Sequence, residues 1–162
     1  MAYNHYQYGL SIAKGLREIA HSDTNKRYFF ATEDEGSLEM IEGMSSSRGM
    51  IMVSIDGTNS DFDWQCDNLT EKPQYFFLVL ESGDSTQDDI LARRMHCKRI
   101  AMQIIAKMMA DYASGDSTMQ QLLPDTLIMR GIGPVVDNYH GVLIGFNISL
   151  STNYAIDETA WL

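Results

Sequence analysis

Residues 85–115, STQDDILARRMHCKRIAMQIIAKMMADYASG, decide the architecture. Ser85 and Thr86 are N-cap residues, whose side-chain oxygens accept from backbone N–H groups left free in a first helical turn. Asp88 and Asp89 follow where negative charge meets the positive end of the helix dipole. Cys97, Ile100, Ala101, Ile104, Ile105, Met108, Met109 and Tyr112 then recur at helical spacing and form one apolar stripe. Gly115 stops the run, because glycine enters the left-handed conformation that closes a helix. The pattern predicts one long helix over about residues 86–113 that needs other elements to cover its stripe.

Upstream, Tyr75-Phe76-Phe77-Leu78-Val79-Leu80 is apolar without alternation, the pattern of a central strand covered on both faces. Met50 to Ile55 alternates, with Ile51, Val53 and Ile55 on one face. Asp61 to Cys66 alternates too, with Phe62, Trp64 and Cys66 on one face. With Asp56–Ser60 as a loop, these two runs read as a hairpin. Arg27-Tyr28-Phe29-Phe30-Ala31 is a short aromatic strand. Between it and Met50 lies an acidic stretch, Glu33, Asp34, Glu35, Glu39 and Glu42, with Leu38, Met40 and Ile41 allowing a short helix and Ser45-Ser46-Ser47 a loop. Residues 33–49 are a candidate mobile insertion. Tyr6 to Ala20 reads as a first helix through Leu10, Ala13, Leu16, Arg17 and Ala20.

Downstream, Thr118 to Leu123 reads as a short helical segment stopped by Pro124. Leu127–Arg130 is a strand broken by Gly131, Gly133 and Pro134. Val142, Ile144, Phe146, Ile148 and Leu150 give the cleanest alternation in the chain. The tail from Asn153 lacks periodicity and carries Trp161 and Leu162. The expected class is α+β: an antiparallel sheet of about four to five strands packed on the long helix and an N-terminal helix, in a single domain spanning 1–162.

Composition narrows the function. The net charge of −10 argues against a general nucleic-acid binder, which needs a cationic footprint. Two cysteines, Cys66 and Cys97, form no CxxC pattern and suit a reducing compartment. No secretory leader or membrane-length apolar run is read from the sequence, so the sequons at Asn68 and Asn147 are taken as coincidence. His5, His21, His96 and His140 match no metal-ligand spacing, so neither a metal nor a cofactor is expected. Asp56–Asp63 is rich in oxygen ligands but lacks the EF-hand order, and reads as a polar loop. No nucleophile elbow or dinucleotide fingerprint is present. No catalytic residue is therefore assigned.

The basic residues carry more information. Arg93, Arg94, Lys98, Arg99 and Lys107 are five of the twelve and all lie on the long helix. At about 100° per residue Arg94 projects with Ile90, Cys97, Ala101 and Met108, and a guanidinium on an apolar face is costly unless paired. It either meets a carboxylate within the chain, snorkels, faces an acidic patch on a neighbouring subunit, or helps to line a passage for DNA. The candidate interface residues are Arg93, Arg94, Lys98 and Arg99, with Glu33, Asp34, Glu35, Glu39 and Glu42 as the acidic counterpart, and Trp161 and Leu162 as an apolar terminus that docks on a neighbour.

The element order, with the long helix after Leu78-Val79-Leu80 and closing strands through Asn138-Tyr139-His140-Gly141-Val142-Leu143-Ile144-Gly145-Phe146, resembles the tail-terminator and head–tail joining proteins of tailed bacteriophages. That resemblance implies a non-enzymatic virion protein assembling as a homo-oligomeric ring at the neck or tail end. Its partners would be copies of itself and other neck or tail proteins, with DNA only passing through the ring and no membrane. It would reside in the virion, and in the host cytoplasm during assembly. The acidic stretch and the Trp161-Leu162 terminus depart from the pattern. Two other classes stay open: a small enzyme or ligand-binding domain with a site near His140, Asp137 and Arg130, and an adaptor binding a protein through 33–49.

Overall fold

The computed structural model describes residues 3–31, 38–65, 68–136, 138–152 and 155–161, with the side chains of 38–41 and 65 outside that description. The elements run α1 (His5–Gly15), β1 (Tyr28–Ala31), α2 (Leu38–Ser46), β2 (Met50–Ile55), β3 (Ser60–Gln65), β4 (Asn68–Ser82), α3 (Gln87–Ser114), β5 (Leu122–Val135), β6 (Tyr139–Ile148) and β7 (Leu150–Ser151), with a single 3₁₀ turn at Glu158–Ala160. The class is α+β. No helix among the described residues is long and apolar enough to cross a membrane.

Strand β4 organises a seven-stranded mixed sheet. Its fifteen residues span roughly 50 Å, enough to pair with two strands in tandem on each side. Its C-terminal part pairs with β2 and β6, and its N-terminal part with β3 and β7. The sheet path is β1-β2-β4-β6-β5. The run 75–80 is the covered central strand that its composition predicts, with Phe77 to Leu80 all buried.

The expected hairpin between residues 50–55 and 61–66 does not form. Both β2 and β3 run antiparallel to β4, so they continue one another end to end. Residues 56–59 interrupt that line, tied to it where the Gln74 N–H donates to Asn59 O at 2.9 Å. The hairpin lies at the far tip, where Gln65 pairs with Asn68. Turn-forming composition at Asp56–Ser60 signals a break in a ladder, and a bulge satisfies it as well as a reversal does. The outcome is a three-stranded arm, β3–β4–β7, running beyond Tyr75, against which Tyr3 packs just ahead of α1.

Nor is the sheet purely antiparallel, because β1 and β2 are parallel. A parallel pair needs a crossover connection, and the stretch read as a mobile insertion supplies α2 for it. Met44 of α2 is buried with Phe29, Ile51, Val53, Leu78, Leu80 and Tyr139 in a core on that side of the sheet. The Tyr139 hydroxyl donates to Met44 O at 3.0 Å and Ser47 O at 2.8 Å, fixing the end of α2. Ser45 and Ser46 belong to this helix rather than to a loop. Strand β2 is accordingly buried on both faces: Ile51 and Val53 on the α2 side, Met50 and Met52 on the other.

The larger core lies between the sheet and helices α1 and α3. Ile12, Ala13, Phe77, Val79, Cys97, Ala101, Ile104, Met108, Val142, Ile144 and Phe146 meet there. Helix α3 has the expected boundaries. Thr86 Oγ1 accepts from the Asp89 N–H, and Gly115 adopts φ 70° with its N–H returned to Asp111 O and Tyr112 O. Helix α1 ends at Gly15 rather than near Ala20, and Ile19 reaches the core from the turn that follows. The segment 118–123 is a turn entering β5, not a helix, and β5 continues through Gly131 and Pro134 to Val135 with two register shifts. The glycines and proline bend that strand without ending it.

Candidate functional site

The N-terminal half of α3 separates the four candidate cations. Arg93 turns inward and is buried. Its Nη1 donates to Glu81 O at 3.0 Å and Asn138 O at 2.7 Å, and Nη2 donates to Asp84 O. Its Nε lies 2.7 Å from Asp89 Oδ2, one helical turn earlier, as an ion pair without an aligned hydrogen bond. Gly83 makes room for this guanidinium, since a Cβ there would sit 2.8 Å from Nε. Arg93 therefore clamps the start of α3 to the ends of β4 and β6 and offers nothing to a partner. That corrects its place among the interface residues.

Arg94 is half-buried over Gly131, where an added Cβ would lie 3.7 Å from its Cδ. Its buried Nε has no hydrogen-bond partner among the described residues. Lys98 and Arg99 are exposed. Beside them stand three large apolar side chains that the core does not use: Leu91, 60% exposed, Met95, 53%, and Met102, 49%. With Lys98, Ile105, Met109 and Tyr112 they follow alternating four- and three-residue steps, 91-95-98-102-105-109-112, the spacing of a seam that faces another element. Its C-terminal members Ile105, Met109 and Tyr112 belong to the stripe read from the sequence, and Ile105 and Met109 pack against the core, so the most exposed apolar part of the seam is Leu91, Met95 and Met102. That widening of the apolar surface toward the N-terminal half was legible in the same letters, and the 4-3 spacing is its signal.

The acidic counterpart lies largely beyond reach. Glu33, Asp34 and Glu35 fall outside the described residues, as does the side chain of Glu39, while Glu42 is exposed on α2. Trp161 is 73% exposed and Ile156 77%. Leu162 falls outside the described residues. A second exposed aromatic group, Phe62 and Trp64, lies on β3 in the arm, where the strand alternation correctly grouped them but on an open face.

Groups that would carry chemistry are occupied structurally. Cys97 is buried, with burial pushing its thiol up to about 12, and its Sγ lies 3.8 Å from His140 O. Cys66 falls outside the described residues. His140 is buried, its Nε2 paired with Asn138 Oδ1 at 3.1 Å. Burial first, then the Arg93 and Arg94 charges, lower its pKa and keep it neutral. Arg130 is exposed and Asp137 lies outside the described residues. Among the described residues, two of the surface clefts, of about 400 and 480 Å³, are lined from 17–27, 46–50, Glu81 and His96, without His140 or Arg130. In the first, His96 Nδ1 pairs with Glu81 Oε2 at 2.9 Å. Among the described residues no group of three or more His, Cys, Asp or Glu could hold a metal ion. Asp56, at the head of the oxygen-rich loop, accepts from Thr58 Oγ1 at 2.6 Å.

What the described residues offer on α3 is an apolar and cationic outer helix face. No protein-family model matches the chain, and no curated protein is significantly similar to it, so the reading of this face rests on its own chemistry.

Proposed function

We propose that this chain is a non-enzymatic virion structural subunit that forms a homo-oligomeric ring at the neck or tail end of tailed bacteriophage particles, as a tail terminator or head–tail connector. One observation carries the assembly reading. Leu91, Met95 and Met102 stand exposed in line beside Lys98 and Arg99, whereas the most exposed of the other large side chains, Phe62, Trp64, Ile156 and Trp161, belong to the arm and the tail that follows it, and the less exposed Tyr6, Phe30 and Tyr112 to α1, β1 and the end of α3. In this reading the two different surfaces meet each other heterologously, and heterologous contacts close into rings when the rotation allows it. The element order noted from the sequence supports the neck or tail location. In this reading the subunit's partners are its own copies and neighbouring virion proteins.

Light scattering across protein and salt concentration tests it. The expected result is a discrete assembly, several times the protomer mass, that loosens at high salt as exposed charges are screened. A strict monomer that also joins no neck or tail particle would end the proposal.

A further inference from the structure

We infer that the outer face of α3 receives the C-terminal tail, residues 155–161, of a neighbouring copy of the chain, an inference that rests on the assembly reading above. The two surfaces match in chemistry. The acceptor carries Leu91, Met95 and Met102 with Lys98 and Arg99, and among the described residues neither cation forms an ion pair. The tail, AIDETAW, carries Ile156 and Trp161 at its two ends and Asp157 and Glu158 between them. Asp157 is fully exposed. It accepts from the Thr159 N–H at 3.0 Å and Oγ1 at 2.6 Å, bonds that pre-form the single 3₁₀ turn and hold its carboxyl below the usual range, so it stays charged. Apolar ends on apolar anchors and acids on cations fit the tail to this face in either chain direction.

At Leu91 and Met95, reach makes the contact intermolecular. The tail is rooted at Thr152, whose N–H donates to Leu69 O at 3.1 Å in the arm. The start of α3 is clamped by Arg93 to Glu81. Twelve strand residues separate Leu69 from Glu81, roughly 40 Å. Nine residues from Thr152 to Trp161 span at most about 32 Å when fully extended. Leu91 and Met95 therefore lie beyond the tail of the same chain. Donor and acceptor at opposite ends of one subunit are what a closed head-to-tail ring requires.

The test uses full chains carrying Cys66→Ser, mixed in pairs: one with Met95→Cys or, for the opposite chain direction, Met102→Cys, the other with Ala160→Cys. Mild oxidation is expected to give a disulfide between the two chains in the mixture. Reversing the tail charges with Asp157→Lys and Glu158→Lys should lower the cross-linked fraction about tenfold, and adding Lys98→Glu and Arg99→Glu to the acceptor should restore it. Absence of the cross-link in chains that still assemble overturns tail docking and leaves the ring reading standing. A disulfide joining two Met95→Cys chains instead places α3 against α3 and overturns it too. A wild-type chain that stays monomeric at every concentration overturns both.

Discussion

His5 is the residue where burial has the clearest measurable consequence. It sits under Phe77, Tyr75 and Tyr3, with its Nε2–H donated to Phe76 O at 2.9 Å and its Nδ1 accepting from the Tyr3 hydroxyl at 2.8 Å. Desolvation pushes its pKa down to about 4. The unfolded chain protonates His5 near 6.5 and the folded chain only near 4, so between those values the unfolded state binds more protons. Stability is then fully present above pH 6.5 and falls by up to about 3 kcal/mol as pH drops to 4. Denaturation midpoints across that window should show the fall, and His5→Gln should reduce it, leaving the contributions of His21 and His140, whose pKa values burial also lowers. Arg93 makes a second prediction at this scale. Arg93→Met strips the partner from Asp89 and from three carbonyl groups, and is expected to cost about 3–5 kcal/mol. Gly141 makes a third: a Cβ there would overlap the Val79 carbonyl oxygen, so Gly141→Ala should prevent close pairing of β4 with β6 and lower the melting midpoint sharply.

Among the elements, α3 does two jobs with two faces. The inner face fills the core through Cys97, Ala101, Ile104 and Met108, and near its end Asp111 accepts from the Tyr8 hydroxyl at 2.8 Å and pairs with Lys107 at 2.5 Å. That buried side-chain bond locks α1 to α3, and Tyr8→Phe should lose about 1–2 kcal/mol in a denaturant titration. The outer face makes the opposite prediction. Met95→Glu or Met102→Glu changes an exposed position and should move monomer stability by no more than about 0.5 kcal/mol, while the assembled fraction in light scattering collapses. A loss of stability equal to that of a core substitution would return those methionines to the core.

At the scale of the whole molecule, the arm sets the distance between association surfaces. Because β4 pairs in tandem with β2 and β3 on one side and β6 and β7 on the other, the arm projects away from the helices. The tail root, with Phe62 and Trp64, is carried to the end remote from Arg93. Shortening the arm by removing matched residues from β3 and β4 keeps every core contact of the sheet centre. It is expected to change the number of subunits in the ring, read as a change in assembly mass, rather than the stability of the protomer.

Local physics made much of this legible from the residues alone. Caps, dipole charges and a 3.6-residue stripe bounded α3, and continuous burial marked the centre of β4, because those signals depend on neighbours in the chain. The α+β class followed from the same periods. Four matters were settled only by tertiary structure: the tandem pairing of β2 and β3, the parallel β1–β2 pair with its crossover helix, the extension of β5 past its glycines, and the choice of Arg93 over Arg94 for burial. Each depends on partners far away in sequence. Alternation tells a strand which face to bury but not which strand to join, and a guanidinium goes where carbonyls from Glu81, Asp84 and Asn138 converge, a place that exists only once β4, β6 and α3 have met.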